Sequence, residues 1–288
     1  MKSLLKKKGL QQTIKSSIEY NGIALHSGDE VNLIFKPAPA DTGIIFRRVD
    51  LPSCPEIKAD PASVISTRRC TSIGSCQDNT ENPPCIYTIE HIMAAVWSLE
   101  IDNLIIEVNN SEAPIADGSA VPFIKILEQA GIKRVSAPRE VWVIKNPLWV
   151  REDEAQIVIL PYDGFKVSYT LQYEHPAVGT QYFEFDNNKD SFVNKIAKAR
   201  TFGFKRELDT LQENGLALGG NLDNAVLIGD ENIVNSLRYS NEFVRHKILD
   251  IVGDMALNGF VEGHIMSIKS GHSLHVALAR KIGQKLGE

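Results

Sequence analysis

His246, Asp250 and Asp254 recur every four residues in "FVRHKILDIVGDMALNG", residues 243–259. On a helix, residues four apart share one side, with Cβ atoms roughly 5–6 Å apart. A His and an Asp at that spacing can chelate one metal ion, as the two histidines of H-E-x-x-H do. The plain alternative is a hydrogen bond on the helix surface. A second group is "TIEHIMAA", with Glu90 beside His91 at a strand-to-helix junction. If His91 binds a metal, Glu90 can reach a water on it without being a ligand. A hydrolytic zinc site needs three protein ligands, an open position and a nearby general base. The plain alternative is a capped helix start. A third group is "KSGHSLH", where His272 follows a Gly in a turn. Such a histidine can protonate a leaving amine, and Asp254 could hold it charged. The plain alternative is an ordinary loop histidine. His275 is expected to face solvent or core on the last helix. His175 and His264 suggest nothing beyond loop and strand positions.

The helix that carries His246 has a core face of Val244, Ile248, Ile251 and Met255 on its other side. Gly253 shares the polar stripe. Gly costs a helix about 1 kcal/mol relative to Ala, a cost kept more readily where something must approach the backbone.

These groups need elements to bring them together. The first half begins with strand-like text, residues 13–50, alternating apolar and polar residues and punctuated at Asn21-Gly22 and Ser27-Gly28. His26 lies in the "LHSG" turn. "IYTIEHIMAAVWSL" becomes a helix, with Thr88 the expected N-cap. "NLIIEVNN" reads as a strand, and "SAVPFIKILEQAG" as a helix ended by Gly131. "IKRVSAPRE", residues 132–140, is polar and reads as a boundary. The second half again gives strands, a long helix around 241–258, a strand and a final helix. This predicts an α+β fold of two similar domains, 1–134 and 135–288. The first carries Glu90 and His91, and the second His246, Asp250 and His272.

Composition narrows the function. The chain has 288 residues, 43% hydrophobic and 23% charged, with net charge −5. No basic block interleaves with aromatics, so nucleic acid is not expected as a partner. "KSLLKKK", residues 2–8, reads as a solvated, frayed N-terminus, with contact to an anionic membrane surface as the alternative. No stretch approaches the ~20 apolar residues that span a bilayer. Cys54, Cys70, Cys76 and Cys85 follow no zinc-finger spacing and read as reduced thiols of a cytosolic protein.

Taken in order, "GIALHSG", "PAPADTGIIFRR", "TIEHIMAA", "IDNLIIEVN", "EAPIADGSAVPF", "KARTFGF", "GLALGGNLDNAVL", "NEFVRHKILDIVGD" and "KSGH" resemble the family of UDP-3-O-acyl-N-acetylglucosamine deacetylases, zinc amidases of lipid A synthesis. The resemblance implies one catalytic Zn²⁺, with Fe²⁺ as the alternative ion in the cell, on His91, His246 and Asp250. It implies Glu90 as general base, His272 as general acid and Asp254 as its orienting partner. Thr201 is similar to a residue that stabilises the oxyanion. Phe202, Lys247, Lys269 and His26 are similar to substrate contacts. Cys70 is similar to a cysteine near the metal that can take up a second, inhibitory zinc. The implied fold has in each domain a two-helix layer on a mainly antiparallel sheet, with the active site between the domains. A hydrophobic passage for the acyl chain would involve Phe202 to Ile228. The implied substrate is an acylated UDP-sugar, met by a monomer in the cytoplasm, peripheral at the inner membrane. The loop "GSCQDNTENPPC" is longer than the resemblance leads one to expect. Three rivals remain at this point: a metal-dependent amidohydrolase with another substrate, an inactive lipid-sugar binding module, and a scaffold whose polar clusters are only hydrogen-bonded.

Overall fold

The structure, a computed structural model, describes residues 3–75 and 83–284. It is mixed α+β. A five-stranded sheet is built from Ile18–Ile23, Glu30–Pro37, Leu104–Val108, Ile44–Arg48 and Glu56–Lys58, in that spatial order. Its core rows follow from period-2 patterning. Phe35 and Phe46 both pair with Ile106, and all three are fully buried. Burying each such side chain contributes about 1.5–3 kcal/mol.

A seven-stranded sheet carries the second half. Phe260–Ile268 is its hub, pairing in parallel with Ile132–Ile144 and Phe165–Gln172 and antiparallel with Ala155–Leu160. Leu148–Glu152 and Thr180–Asp186 complete it on the C-terminal side of the chain. Its remaining strand is Ser3–Ile14, antiparallel to Ile132–Ile144 with Leu5 opposite Trp142. Two expectations change here. Residues 3–8 are not frayed but lie in a strand, and residues 132–140, read as a boundary, are its partner. Both stretches can be polar because residues 4–10 are exposed throughout and residues 132–140 bury only Ala137 and Arg139.

Among the described residues six α-helices accompany the sheets: α1 (Glu90–Ser98), α2 (Val121–Ala130), α3 (Phe192–Lys195), α4 (Lys205–Glu213), α5 (Glu242–Met255) and α6 (His272–Gly283). Helix α2 stops at Gly131, whose φ of +72° suits a residue without Cβ. Helix α1 is not capped by Thr88. Its cap position is Ile89, and the Thr88 hydroxyl reaches Glu112 instead. Helix α1 packs on α2 and on α5, and α5 packs on α6 and on Phe165–Gln172.

The α1–α5 contact is tight. A Cβ built on Gly253 of α5 would lie 2.1 Å from the Glu90 carbonyl oxygen of α1. The glycine is therefore where a neighbouring backbone comes closest. Both atoms at this contact are backbone, so Gly253→Ala must push the helices apart. The expected result is a melting temperature several degrees lower together with weaker metal retention. Wild-type stability and metal content in the purified variant would show the contact to be dispensable.

Candidate metal centre and active site

Helix α1 presents His91 and helix α5 presents His246 and Asp250. One ligand atom from each lies within 4.8 Å of the others, and all three residues are buried. The two imidazole rings stand 5.2 Å apart and nearly perpendicular. His246 Nδ1 lies 3.1 Å from the Ala199 carbonyl oxygen. A carbonyl only accepts, so Nδ1 carries the proton and Nε2 presents its lone pair. That lone pair faces Asp250 Oδ1 at 3.3 Å. Burial pushes His246 below the ordinary histidine range, so the ring is neutral and two acceptors face each other. A cation between them removes the conflict. His91 is pushed down to about 3 by burial and by His246, and its Nδ1 is buried with no hydrogen-bond partner among the described residues. Buried polar atoms are rarely left so. Burial opposes charge on Asp250, yet His246 and Lys247 hold it well below the usual carboxylate range. Two neutral imidazoles and one carboxylate are a donor set that fits a divalent metal ion.

The backbone holding this group is itself anchored. Arg200 Nε and its backbone N–H both donate to Glu242 Oε1 at 2.9 Å, and Glu242 is fully buried. This ion pair fixes the segment whose Ala199 carbonyl sets the His246 tautomer. Motif reading missed it, because Arg and Glu 42 residues apart carry no local signal. The loop Ala113–Ser119 closes on the same segment, since the Thr201 N–H donates to the Gly118 carbonyl.

Beside the metal group lies a carboxyl–histidine pair. Asp254 accepts from the Thr71 hydroxyl through Oδ1 at 2.5 Å and meets His272 Nδ1 through Oδ2 at 2.8 Å. Thr71 also donates its backbone N–H to Glu90 Oε2 at 3.0 Å. Burial pushes Glu90 up to about 7, aided by Asp250 and Asp254 and opposed by His272. Burial works against charge on His272, but Asp254 outweighs it and raises this histidine to about 9. One carboxyl near neutrality and one imidazolium are thus held from a single threonine. Thr71 was not singled out from the sequence; only its place in "RRCTSI" near a cysteine hinted at it.

The other sequence candidates fall around this centre unevenly. The Phe202 ring lies 6.1 Å from that of His246 and 5.4 Å from Lys247 Nζ. Lys247 donates to Asp250 Oδ2 at 2.8 Å, which holds its ammonium charged above the ordinary range. Thr201 is half-buried on the same segment. Lys269 opens the loop before His272, but its ammonium lies on Glu154 at 2.7 Å. His26 stands in a turn whose N–H groups at His26 and Ser27 donate to Glu112. Cys70 bonds Ser72, and burial pushes its thiol up to about 11, so it is protonated and belongs to neither His–Asp group. Cys76 lies outside the described residues; Cys54, Cys70 and Cys85 are free thiols. His275, expected at solvent or core, is fully buried and bonded to Asp254.

Three candidate metal ligands beside a carboxyl near neutrality and an imidazolium are the groups a metal-dependent hydrolase requires. A family model described as LpxC, UDP-3-O-acyl N-acetylglycosamine deacetylase, matches residues 11–284. A protein of Colwellia psychrerythraea named UDP-3-O-acyl-N-acetylglucosamine deacetylase is 42% identical over 94% of this chain and 89% of its own length. Proteins of the same name from Oleidesulfovibrio alaskensis and Idiomarina loihiensis are each 43% identical, over 95% and 94% of this chain and 89% of their own. The chain belongs to this family of deacetylases.

Removing Glu242 leaves Arg200 charged and buried without its partner. Glu242→Ala is expected to cost about 3–5 kcal/mol, measured by urea unfolding. A loss below 1 kcal/mol would mean that the pair does not anchor the segment. Elemental analysis is expected to find a bound metal in wild type and none in His246→Ala purified beside it; a folded wild type that takes up no metal would remove the centre.

Proposed function

We propose that this chain hydrolyses the N-acetyl group of UDP-3-O-acyl-N-acetylglucosamine, releasing acetate and the free 2-amino sugar nucleotide, still 3-O-acylated. In this reading His91, His246 and Asp250 hold a zinc ion, or Fe²⁺ in its place. Such an ion supplies Lewis acidity toward the acetamide carbonyl and lowers the pKa of water. Glu90 takes the proton from the attacking water, for which a pKa near 7 is suited. Thr201 donates to the developing oxyanion. His272 has its Nδ1 engaged by Asp254, so it gives the Nε2 proton to the departing amine. The new C–O bond then replaces the C–N bond, and the amine leaves neutral. The observation that supports this division most is Thr71, which spaces Glu90 and Asp254–His272 around one point beside the three ligands.

Phe202, Lys247, Lys269 and His26 would contact the substrate, and the closeness of Phe202 to His246 and of Lys247 to Asp250 supports the first two. The apolar passage would involve Phe202–Ile228, where two short parallel strands flank α4 and Leu218 and Leu222 are exposed. We read the chain as two domains, 1–134 and 135–288, each a sheet with a helix layer, meeting at α1 and α5. Ser3–Ile14 then belongs to the second domain's sheet. The protein would work as a cytoplasmic monomer that visits the inner membrane face. No described helix is long and apolar enough to cross a membrane.

Glu90→Gln should keep its metal and lose about 10²–10⁴-fold in kcat, the usual contribution of a general base. Equal turnover would remove Glu90 from that role, and turnover of a simpler acetamide but not of the acylated sugar nucleotide would point to another substrate. For the acid, protonated His272 is the active form, so kcat/KM falls as pH rises through its pKa. A metal cation nearby pulls that value down from about 9, so the alkaline limb is expected between 6.5 and 9. Asp254→Asn removes the charge that raises it and should shift the limb to lower pH. An unmoved limb would exclude His272 as the acid.

A further inference from the structure

His275 is the one histidine of α6 that the deacetylation as read above does not use, and it is fully buried. Its Nδ1 lies 2.8 Å from Asp254 Oδ2, the same oxygen that meets His272 Nδ1 at 2.8 Å. A carboxylate offers only acceptors, so His275 Nδ1 carries a proton; burial pushes the ring below the ordinary histidine range, so it is neutral and Nε2 is an acceptor. Ser270 Oγ lies 2.8 Å from that Nε2, and Ser267 Oγ lies 2.5 Å from Ser270 Oγ. The proton order along the chain is therefore set. Ser267 donates to Ser270, Ser270 donates to His275, and His275 donates to Asp254. Ser267 and Ser270 are buried as well. The Tyr169 hydroxyl donates to the Ser270 carbonyl at 2.5 Å, which fixes the turn that carries the relay.

We propose that His275 is a positioning residue: held as an Nδ1 donor by Ser270 and Ser267, it shares one Asp254 oxygen with His272 and so limits how much of that carboxylate's charge His272 receives. The inference rests on His272 being the acid. Two donors on one oxygen compete, and each bond strengthens when the other is lost. Asp254 keeps His272 charged at neutral pH, and His275 leaves it acidic enough to give its proton away. The groups that face this pair from α5 are Asp250, Asp254 and His246, and from α1 Glu90 and His91. Thr71 faces it from the loop before Ser72–Gly74. From Leu148–Glu152, on the other side of α6, comes Glu152, which is spent on Ser273 at the surface. From the 3₁₀ turn Pro61–Ser63 comes Asp60, which caps that turn. His275 is the second N–H donor to Asp254 among them.

Two substitutions separate the donor from the ring. In His275→Asn the amide Nδ2 branches from Cγ where the imidazole Nδ1 did, so the donor is kept and the acceptor for Ser270 is lost. His275→Leu removes both. The alkaline limb of kcat/KM for the holoenzyme should move up by at least half a pH unit in His275→Leu, with kcat lowered and KM little changed. It should stay near the wild-type position in His275→Asn. A limb that stays put or moves down in His275→Leu overturns the proposal. Nitrogen-15 histidine spectra of the wild-type, metal-loaded protein test the same point without any variant or assay. They should show His275 as the neutral Nδ1–H tautomer from pH 5 to 10. Titration of His275 in that range, or an Nε2–H tautomer, would overturn the relay even if His272 proves to be the acid. Failure of His272 to act as the acid would appear separately, as a missing alkaline limb in wild type.

Discussion

The Glu90 carbonyl oxygen occupies the space where any side chain at position 253 would begin. This backbone contact between α1 and α5 is what the centre depends on. His91 comes from one helix and His246 and Asp250 from the other, and their ligand atoms meet only if the helices approach this closely. The contact also sets Glu90, the first residue of α1, at the edge of the same space. Gly253 gives up helix propensity, and Glu90 is brought beside the three residues that could hold a metal ion.

The second constraint is electrostatic. Glu90, Asp250 and Asp254 are three carboxyls in one buried volume, and buried charge is costly unless it is paired. Each has its own solution. Asp250 is held charged by Lys247, Asp254 by His272, His275 and Thr71, and Glu90 alone is left to rise toward neutrality. Separate partners leave similar carboxyls with different affinities for a proton. The Arg200–Glu242 pair solves the same problem outside the centre and makes a rigid support of it.

The centre was largely legible in the sequence because its groups sit in short motifs with fixed spacing. His246, Asp250 and Asp254 share a face by helical period, and Glu90 and His91 adjoin. Gly253 was legible as a site of close approach, though its partner was not. The errors were local. Thr88 has the chemistry of a cap, but Glu112 competes for its hydroxyl, and the polar stretch at 132–140 did not read as a strand because only pairing with Ser3–Ile14 makes it one. A strand with one wet face looks like a loop until its neighbour is known.

The sequence by itself determined the chemistry available: which residues can bind a metal, take a proton or give one, and which helix carries them. Periodicity and residue type are local properties, and they survive without coordinates. Only the tertiary structure decided which of these groups meet. That α1 lies on α5, that Thr71 joins Glu90 to Asp254, and that His275 meets Asp254 are long-range facts, with partners up to 183 positions apart in the chain. No local pattern encodes such contacts. They follow from packing two sheets and their helices into one dense interior, where a buried donor or acceptor must find whichever partner the fold brings near.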